Sequence, residues 1–548
     1  MLLSNLDLLA TALGGVTRLR ELILTLAVQG KLVPQDPADE PAGELLQKIR
    51  TEKDRLIAEG KIKRDKPLTR IAEEEKPFEL PKGWAFCRLG ELLLSIRSGG
   101  TPSKQNPDFW GGSIPWASVK DLYFGEPISD TQDRITQAGL DAGSELAPAG
   151  SILICTRMGL GKIGEALIDV AINQDLKAVL LGVGVDKQYF INYFKTLAVV
   201  GSGMTVAGIK QDELLGFVVP LPPSTEQSRI VTRVEELMRL CDALETKGQL
   251  EATQHAQLVS TLLGTLTASA SPEELADNWQ RVAQHFDLLL DRPQTIDALE
   301  QTLLQLAVRG LLVPQDPTDE PASALLACIR TEKDRLIDEG KIKRDKPLPP
   351  ITDEEKPFEL PVGWEWVRFG QIASIASKLV PPALHAKKWQ VAPDCIEKGT
   401  GRLLERRTVA QAEIISPNHL FKPGQILYSK IRPSLSKAVL VDFEGLCSAD
   451  MYPIESPLDS QYLLMYILSQ PFLDQVSVAE NRVKMPKLNQ EALVAFTVAL
   501  PPLAEQSRIV TRVTALRRLC ADLRQRLAER QSVQARLAEA LVHEVASA

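Results

Sequence analysis

From Pro222 to about Leu266 the apolar residues Ile230, Val234, Leu237, Cys241 and Leu244 recur at alternating spacings of four and three. That is the a/d rhythm of a helix buried along one seam. Ser224-Thr225-Glu226-Gln227, following two prolines, predicts a capping box at its start. The rhythm returns at Ile509, Val513, Leu516, Cys520, Leu523 and Leu527, and later at Leu537 and Leu541. Charged residues, among them Arg229, Arg233, Glu235, Arg512, Arg517 and Arg524, fill the other faces. A core helix of a single domain shows such a stripe too, but about 40 residues without proline favour a long helical pair. Shorter helices are predicted over about 17–29, from Ser271-Pro272, over 294–309, and through the EKDRLI segments.

Between these helices the pattern changes to short apolar runs broken by glycine, proline and polar residues. Residues 151–155, 177–181, 438–441 and 492–500 read as strands. Two stretches, 78–221 and 358–500, are therefore mixed α/β domains. Weak matches join them: Pro148-Ala149-Gly150 with Lys422-Pro423-Gly424, Asn173-Gln174-Asp175 with Ser448-Ala449-Asp450, and Ile209-Lys210-Gln211-Asp212 with Leu488-Asn489-Gln490-Glu491. One fold with diverged loops explains this.

The rest of the chain contains nearly copied blocks. Residues 51–68 return as 331–348 with one change, Ala58 against Asp338. Glu226 to Val234 returns as Glu505 to Val513. A period this long is a duplicated half-protein, not a solenoid of short units. The blocks are 1–77, 78–221, 222–357, 358–500 and 501–548. Their order is that of a closed ring of two equal halves cut within one helical spacer. It implies an internal pseudo-two-fold axis with the termini close together on that spacer.

Composition is ordinary for a globular protein, with 44% apolar and 24% charged residues. No apolar run approaches the ~20 residues that span a bilayer. The first residues carry an acid and no basic stretch, unlike a signal peptide, so a cytoplasmic location is expected. The seven cysteines form no C-x-x-C pair and lie at no metal-ligand spacing to a histidine, so they read as small buried residues. Net charge is −8, the wrong sign for a chain basic throughout, so any nucleic-acid contact must be local or shared with a basic partner.

FELPKGW and FELPVGW open the two variable domains, LPPSTEQSRIV and LPPLAEQSRIV close them, and LIAEGKIKRDKPL and LIDEGKIKRDKPL lie in the copied regions. With this arrangement the whole chain resembles the specificity subunit of type I restriction–modification systems. The resemblance implies an α+β chain: two target-recognition domains separated by long antiparallel coiled-coil helices. Each domain would read one half of a bipartite DNA target. The helical regions would carry two methylation subunits, which bring S-adenosylmethionine, and endonuclease/translocase subunits would join for cleavage. No cofactor, metal or catalytic group is expected in this chain. Gly100-Thr101-Pro102-Ser103 with Phe109 to Trp116 is common in such domains. The second domain has Ser377 to Pro381 there, so it should read different bases.

Base edges are read by loop donors and acceptors, and phosphates by Lys or Arg. The candidates are Thr101, Ser103, Lys104, Lys120, Arg157, Lys162 and Lys210 in the first domain, and Lys387, Lys388, Lys430, Arg432, Lys437, Arg482, Lys484 and Lys487 in the second. Each taken singly reads equally well as solvated surface charge. Trp110 and Trp116 read as loop supports, Trp84 and Trp364 as packing residues. Gly159-Leu160-Gly161-Lys162-Ile163-Gly164 matches a dinucleotide fingerprint, but the β-branched residues after it suggest a hairpin's return strand rather than the required helix. The copied Lys61–Lys66 segment is either solvated linker or a partner-docking arm; the near-perfect duplication favours docking. Two rivals stand beside DNA recognition: a pseudosymmetric protein-binding scaffold without DNA affinity, and an enzyme using the Gly159 loop.

A spacer of about 40 helical residues spans ~60 Å at 1.5 Å per residue. Antiparallel spacers would then act as a ruler between half-sites set one or more turns of ~34 Å apart. Inserting a heptad into one spacer should change the unread gap and leave both half-sites intact. Methylation-site sequencing reads this directly, and an altered half-site would count against the ruler.

Overall fold

A computed structural model describes residues 6–64, 66–197, 208–269, 271–341, 344, 346–479 and 486–547. The chain divides into two units: Met1–Leu250 with Gln531–Ala548, and Glu251–Arg530. Each holds one variable domain, one copy of the helical region, and part of both long helices, Ser224–Ala268 and Leu503–Ser547. No helix among the described residues is long and apolar enough to cross a membrane.

The first variable domain contains two four-stranded sheets. One runs Leu93–Ser98, Leu176–Leu181, Ile152–Cys155, Ile163–Glu165, all antiparallel. The other runs Asp133–Ile135, Trp110–Ala117, Val170–Ile172, Glu145–Ala147, with a parallel pairing between its two middle strands. The second domain repeats both orders. Its first sheet is Ser374–Ile375, Met451–Glu455, Ile426–Ser429, Ala438–Leu440. Its second is Arg407–Thr408, Trp389–Val391, Gly445–Cys447, Asn418–Phe421, with the same parallel pairing in the middle and one added strand, Leu379–Val380. The shared fold expected from the weak sequence matches is therefore present strand by strand. Strands 152–155 and 426–429 are buried at every position, which is why they read as continuous apolar runs rather than as alternation.

The copied residues lie where each domain meets its helices. A two-stranded ribbon closes each domain: Ala85–Arg88 with Val218–Leu221, and Glu365–Arg368 with Thr497–Leu500. The chain then turns directly into a long helix. There the Trp84 indole N–H donates to the buried Glu226 carboxylate (3.0 Å), which also accepts from the Gln35 amide (3.2 Å). The second unit has Trp364 on Glu505 (2.9 Å) and Gln315 on Glu505 (2.8 Å). Beside each glutamate an arginine clamps an aspartate, Arg229 on Asp39 and Arg508 on Asp319, both at 2.5 Å. Gln227 accepts the Asp186 N–H (2.7 Å) and Gln506 the Asp459 N–H (3.1 Å), tying the domain's own helix to the long one. Burial raises the pKa of Glu226 and of Glu505, against the lowering effect of these donors.

Several expectations need correction. The capping box does not form: Gln227 is taken up by Asp186 and by the Pro222 carbonyl (3.0 Å), and Glu226 by Trp84. The run 492–500 is not one strand. Asn489 accepts the Ala492 N–H (2.7 Å) and caps a short helix, Gln490–Ala495, before the strand Thr497–Leu500. Leu537 is exposed, because the buried face there passes through Ala538, which is small enough to let the Leu9–Ile23 region approach. Cys328 is exposed, unlike the other cysteines. The a/d seam is also not reserved for the two long helices. Ile230, Val234 and Cys241 share a cluster with Leu19 and Ile23 of the helix Gly15–Val28.

Removing Glu226 strands the buried Trp84 indole N–H. Glu226→Ala should cost about 2–4 kcal/mol in urea unfolding, and Glu226→Gln, which keeps an acceptor, clearly less. A carboxyl whose folded pKa lies above its unfolded value favours folding at low pH, and that contribution is lost as pH rises through the raised value. The stability of wild type relative to Glu226→Gln should therefore fall as pH rises through the carboxylate range.

Candidate nucleic-acid interface

Part of the candidate cations of each domain lie on one backbone frame. The loop leaving strand Ile152–Cys155 is held on both sides: the Thr156 N–H donates to the Asp175 carbonyl (2.8 Å), and the Ile209 N–H to the Thr156 carbonyl (2.9 Å). The loop leaving Ile426–Ser429 is held identically, Lys430 to Asp450 (3.0 Å) and Leu488 to Lys430 (2.8 Å). The next bridges also correspond, Arg157 with Gly208 and Ile431 with Lys487. The frame therefore equates Thr156 with Lys430, Arg157 with Ile431, Gly208 with Lys487 and Lys210 with Asn489. The backbone is constant, and the positive charges sit at different stations on it.

In the first domain Arg157 and Lys210 are exposed, with Arg157 3.8 Å from Asp175. Met158 has φ 60 and projects beside them, exposed. Lys162 turns inward: its ammonium donates to the Val119 carbonyl (3.0 Å) and lies 5.7 Å from the Tyr123 ring centroid. Gly159–Gly164 is a hairpin tip, because Ile163–Glu165 returns antiparallel to Ile152–Cys155 and no helix follows. Lys120, Ser103 and Lys104 are exposed. The Thr101 hydroxyl donates to the Gln174 side chain. That loop is braced from inside: Trp110 donates to the Ser103 carbonyl (3.1 Å), Trp116 to the Gly100 carbonyl (3.3 Å), and the rings meet edge-on at 5.1 Å. Gly100 has no substitute here, since a Cβ would sit 1.8 Å from the Gly143 carbonyl oxygen.

In the second domain Arg432 and Lys487 are exposed. Arg432 is held at φ 44 by its N–H bond to the Pro486 carbonyl (2.9 Å), and Lys487 reaches Asp450 at 3.2 Å. Lys430 is half-buried, 5.4 Å from the Tyr452 ring centroid. Its charge, after burial, is what lowers the pKa of His419. Lys437 turns inward onto the Pro393 carbonyl (2.6 Å), and Lys388 pairs with Glu444 (2.8 Å) while Lys387 stays exposed. Arg482 and Lys484 lie outside the described residues. Among those described, the frame brings together Arg157, Lys162 and Lys210 in one domain, and Lys430, Arg432, Lys437 and Lys487 in the other. The 101–104 loop, Lys120, Lys387 and Lys388 lie on other segments. Sequence reasoning missed Tyr123 and Phe124, both exposed beside the hairpin tip, and Tyr452 under Lys430. The adjacent aromatics in Leu122-Tyr123-Phe124-Gly125, ahead of a turn, were the available signal for the first pair.

Residues 81–254 and 361–530 match the family model described as the type I restriction modification DNA specificity domain. The chain is 36% identical over 561 residues to the EcoEI type I restriction enzyme specificity subunit of Escherichia coli, covering 96% of this chain and 93% of that protein. It is 36% identical over 564 residues to the EcoAI specificity subunit of the same organism, with the same coverage. A chain from a solved type I R-M system overlays loosely, with a TM-score of 0.48 and 16% identity over 86% of this chain and 99% of that one.

The inward and outward cations should separate by measurement. Lys437→Met loses a bond to a backbone carbonyl and should lower stability by about 1 kcal/mol in urea unfolding. Arg432→Ala should stay within about 0.5 kcal/mol of wild type, as surface changes usually do.

Proposed function

This chain belongs to the family of type I restriction–modification DNA specificity subunits and is a DNA-sequence-recognition subunit; from that premise we propose how the work is divided along it. Each variable domain reads one half of a bipartite target, and each copied helical region docks one methylation subunit. S-adenosylmethionine arrives with those subunits, and endonuclease/translocase subunits join the assembly for cleavage. This chain supplies recognition and no catalytic group.

The observation that carries the proposal is the contrast between frame and charge. Two domains with one strand order place Arg157 and Lys210 on one frame and Lys430, Arg432 and Lys487 on the other. Two readers of unlike half-sites need that combination: the same approach to the duplex, with different side chains toward it. The acidic balance of −8 is then no obstacle, because these cations act locally and the partners share the neutralisation of phosphate.

Docking of two equal partners is supported by matched surface. An open cleft of about 1290 Å³ is lined by Arg50, Lys53, Lys66 and Leu68. Its counterpart, of about 810 Å³, is lined by Arg330, Lys333, Lys346 and Leu348, the same residues one repeat later. These side chains reach the copied basic segment and could hold an acidic, partly apolar element of the same subunit twice.

In the complex assembled with its methylation subunits, Arg432→Ala with Lys487→Ala should flatten the dependence of log affinity on log salt by about 0.9 for each phosphate no longer neutralised. Exchanging residues 358–500 for the same domain of a relative should rewrite one half-site in methylome sequencing and leave the other untouched. Change in both halves would sink the one-domain, one-half-site reading. Loss of every sequence-selective duplex shift in the wild-type complex would return the chain to a protein scaffold.

A further inference from the structure

The two helical docks carry corresponding apolar seams. In the first unit, Leu19 and Ile23 of the helix Gly15–Val28 cluster with Ile230, Val234 and Cys241. In the second, Leu299 and Leu303 of the helix Pro293–Val308 cluster with Cys520 and Leu527, with Leu516 and Leu523 against them. By repeat position Leu19 corresponds to Leu299, Ile23 to Leu303, Leu237 to Leu516, Cys241 to Cys520 and Leu244 to Leu523. At these positions an exchanged dock would meet the same or a similar apolar side chain.

The flanking charges can tell the docks apart. In the first unit Arg20 reaches Asp242 (2.6 Å) and Glu245 (2.9 Å). In the second the polarity is reversed. Glu300 stands where Arg20 stands, and Arg524 where Glu245 stands, with Arg524 2.6 Å from Glu300 and 2.7 Å from Asp297. Arg517, 3.0 Å from Glu300, occupies the position of Met238. We propose that this reversed ion pair is a pairing code, which directs residues 15–28 to the segment 230–245 and residues 293–308 to the segment 516–527 and disfavours the exchanged docking.

The physics is a difference between states rather than the strength of either pair. An exposed ion pair alone contributes little. Exchange, however, replaces attraction by repulsion in both docks at once: Arg20 would face Arg517 and Arg524, and Glu300 would face Asp242 and Glu245. Glu300 is 15% exposed and Arg517 21%, so neither can turn fully to water when its partner is removed. Discrimination of this kind, by the pairing made unfavourable, is how near-identical coiled-coil partners are kept apart.

The test uses the full chain, unfolded in urea, refolded at two concentrations about tenfold apart, and read by size exclusion with light scattering and by thermal midpoint. Arg20→Glu alone should lower the midpoint and raise the oligomer fraction. Adding Asp242→Ala and Glu245→Arg gives both docks the second unit's polarity. That variant should regain the midpoint, yet yield roughly three- to tenfold more concentration-dependent oligomer than wild type. Rewriting the second dock as well, with Asp297→Thr, Glu300→Arg, Arg517→Met, Ala521→Asp and Arg524→Glu, restores two unlike codes and should restore monomer. A same-polarity variant that refolds as cleanly as wild type overturns the proposal. So does one that never regains its midpoint, because the same charges then fail to hold a dock, and so does a doubly rewritten chain that stays oligomeric.

Discussion

Glu226 and Glu505 are the points on which everything else hangs. Each is a buried acid on the first turn of a long helix, held by an indole from the domain's first strand region and an amide from the helical region. Three parts of the chain, distant in sequence, meet at one carboxylate. A buried carboxylate tolerates little loss of its donors, so the relative placement of those three parts is over-determined. The arginine–aspartate clamp and the Gln227 and Gln506 bonds fix it further. This accounts for the copied EQSRIV block. Its residues are not only helix formers; nearly every polar one is committed to a partner outside the helix.

With each domain anchored in this way, its loops are free to differ. The frame of Thr156, Asp175 and Ile209, repeated by Lys430, Asp450 and Leu488, is made of backbone hydrogen bonds. Backbone bonds constrain no side chain, so charge can move from one station to the next without altering the fold. That is the physical basis for two readers on one architecture.

The long helices, the duplication and most strands were legible in the sequence, because helical periodicity, near-identity and buried apolar runs are local signals. Failures occurred where a distant neighbour decides. Gln227 reads as a cap until Asp186 claims it. Leu537 reads as a seam residue until the approach of other helices selects Ala538. Ala492–Leu500 fails for a local reason instead: Asn489, just upstream, caps a short helix there. The candidate cations show the limit set by distant neighbours. Lys162, Lys388 and Lys437 are indistinguishable in sequence from Lys210, yet the first three turn onto carbonyls or an acid brought by other segments. A lysine's residue type gives its charge; only the fold gives its direction.

Duplication solves one problem and creates another. Copying the anchor and the seam yields two equivalent supports, as recognition of two half-sites requires. The same copying reduces the differences by which a folding chain tells one support from the other, since Leu19 and Leu299 lie in seams carrying Cys241 and Cys520. Sequence identity in the seam must therefore be offset by a difference outside it. Reversing an ion pair does so without changing the apolar positions, because each polarity is attractive in its own dock and only the mixed combinations are repulsive. On this argument the departures from identity within the helical regions, such as Arg20 against Glu300, hold as much structural information as the long stretches that agree.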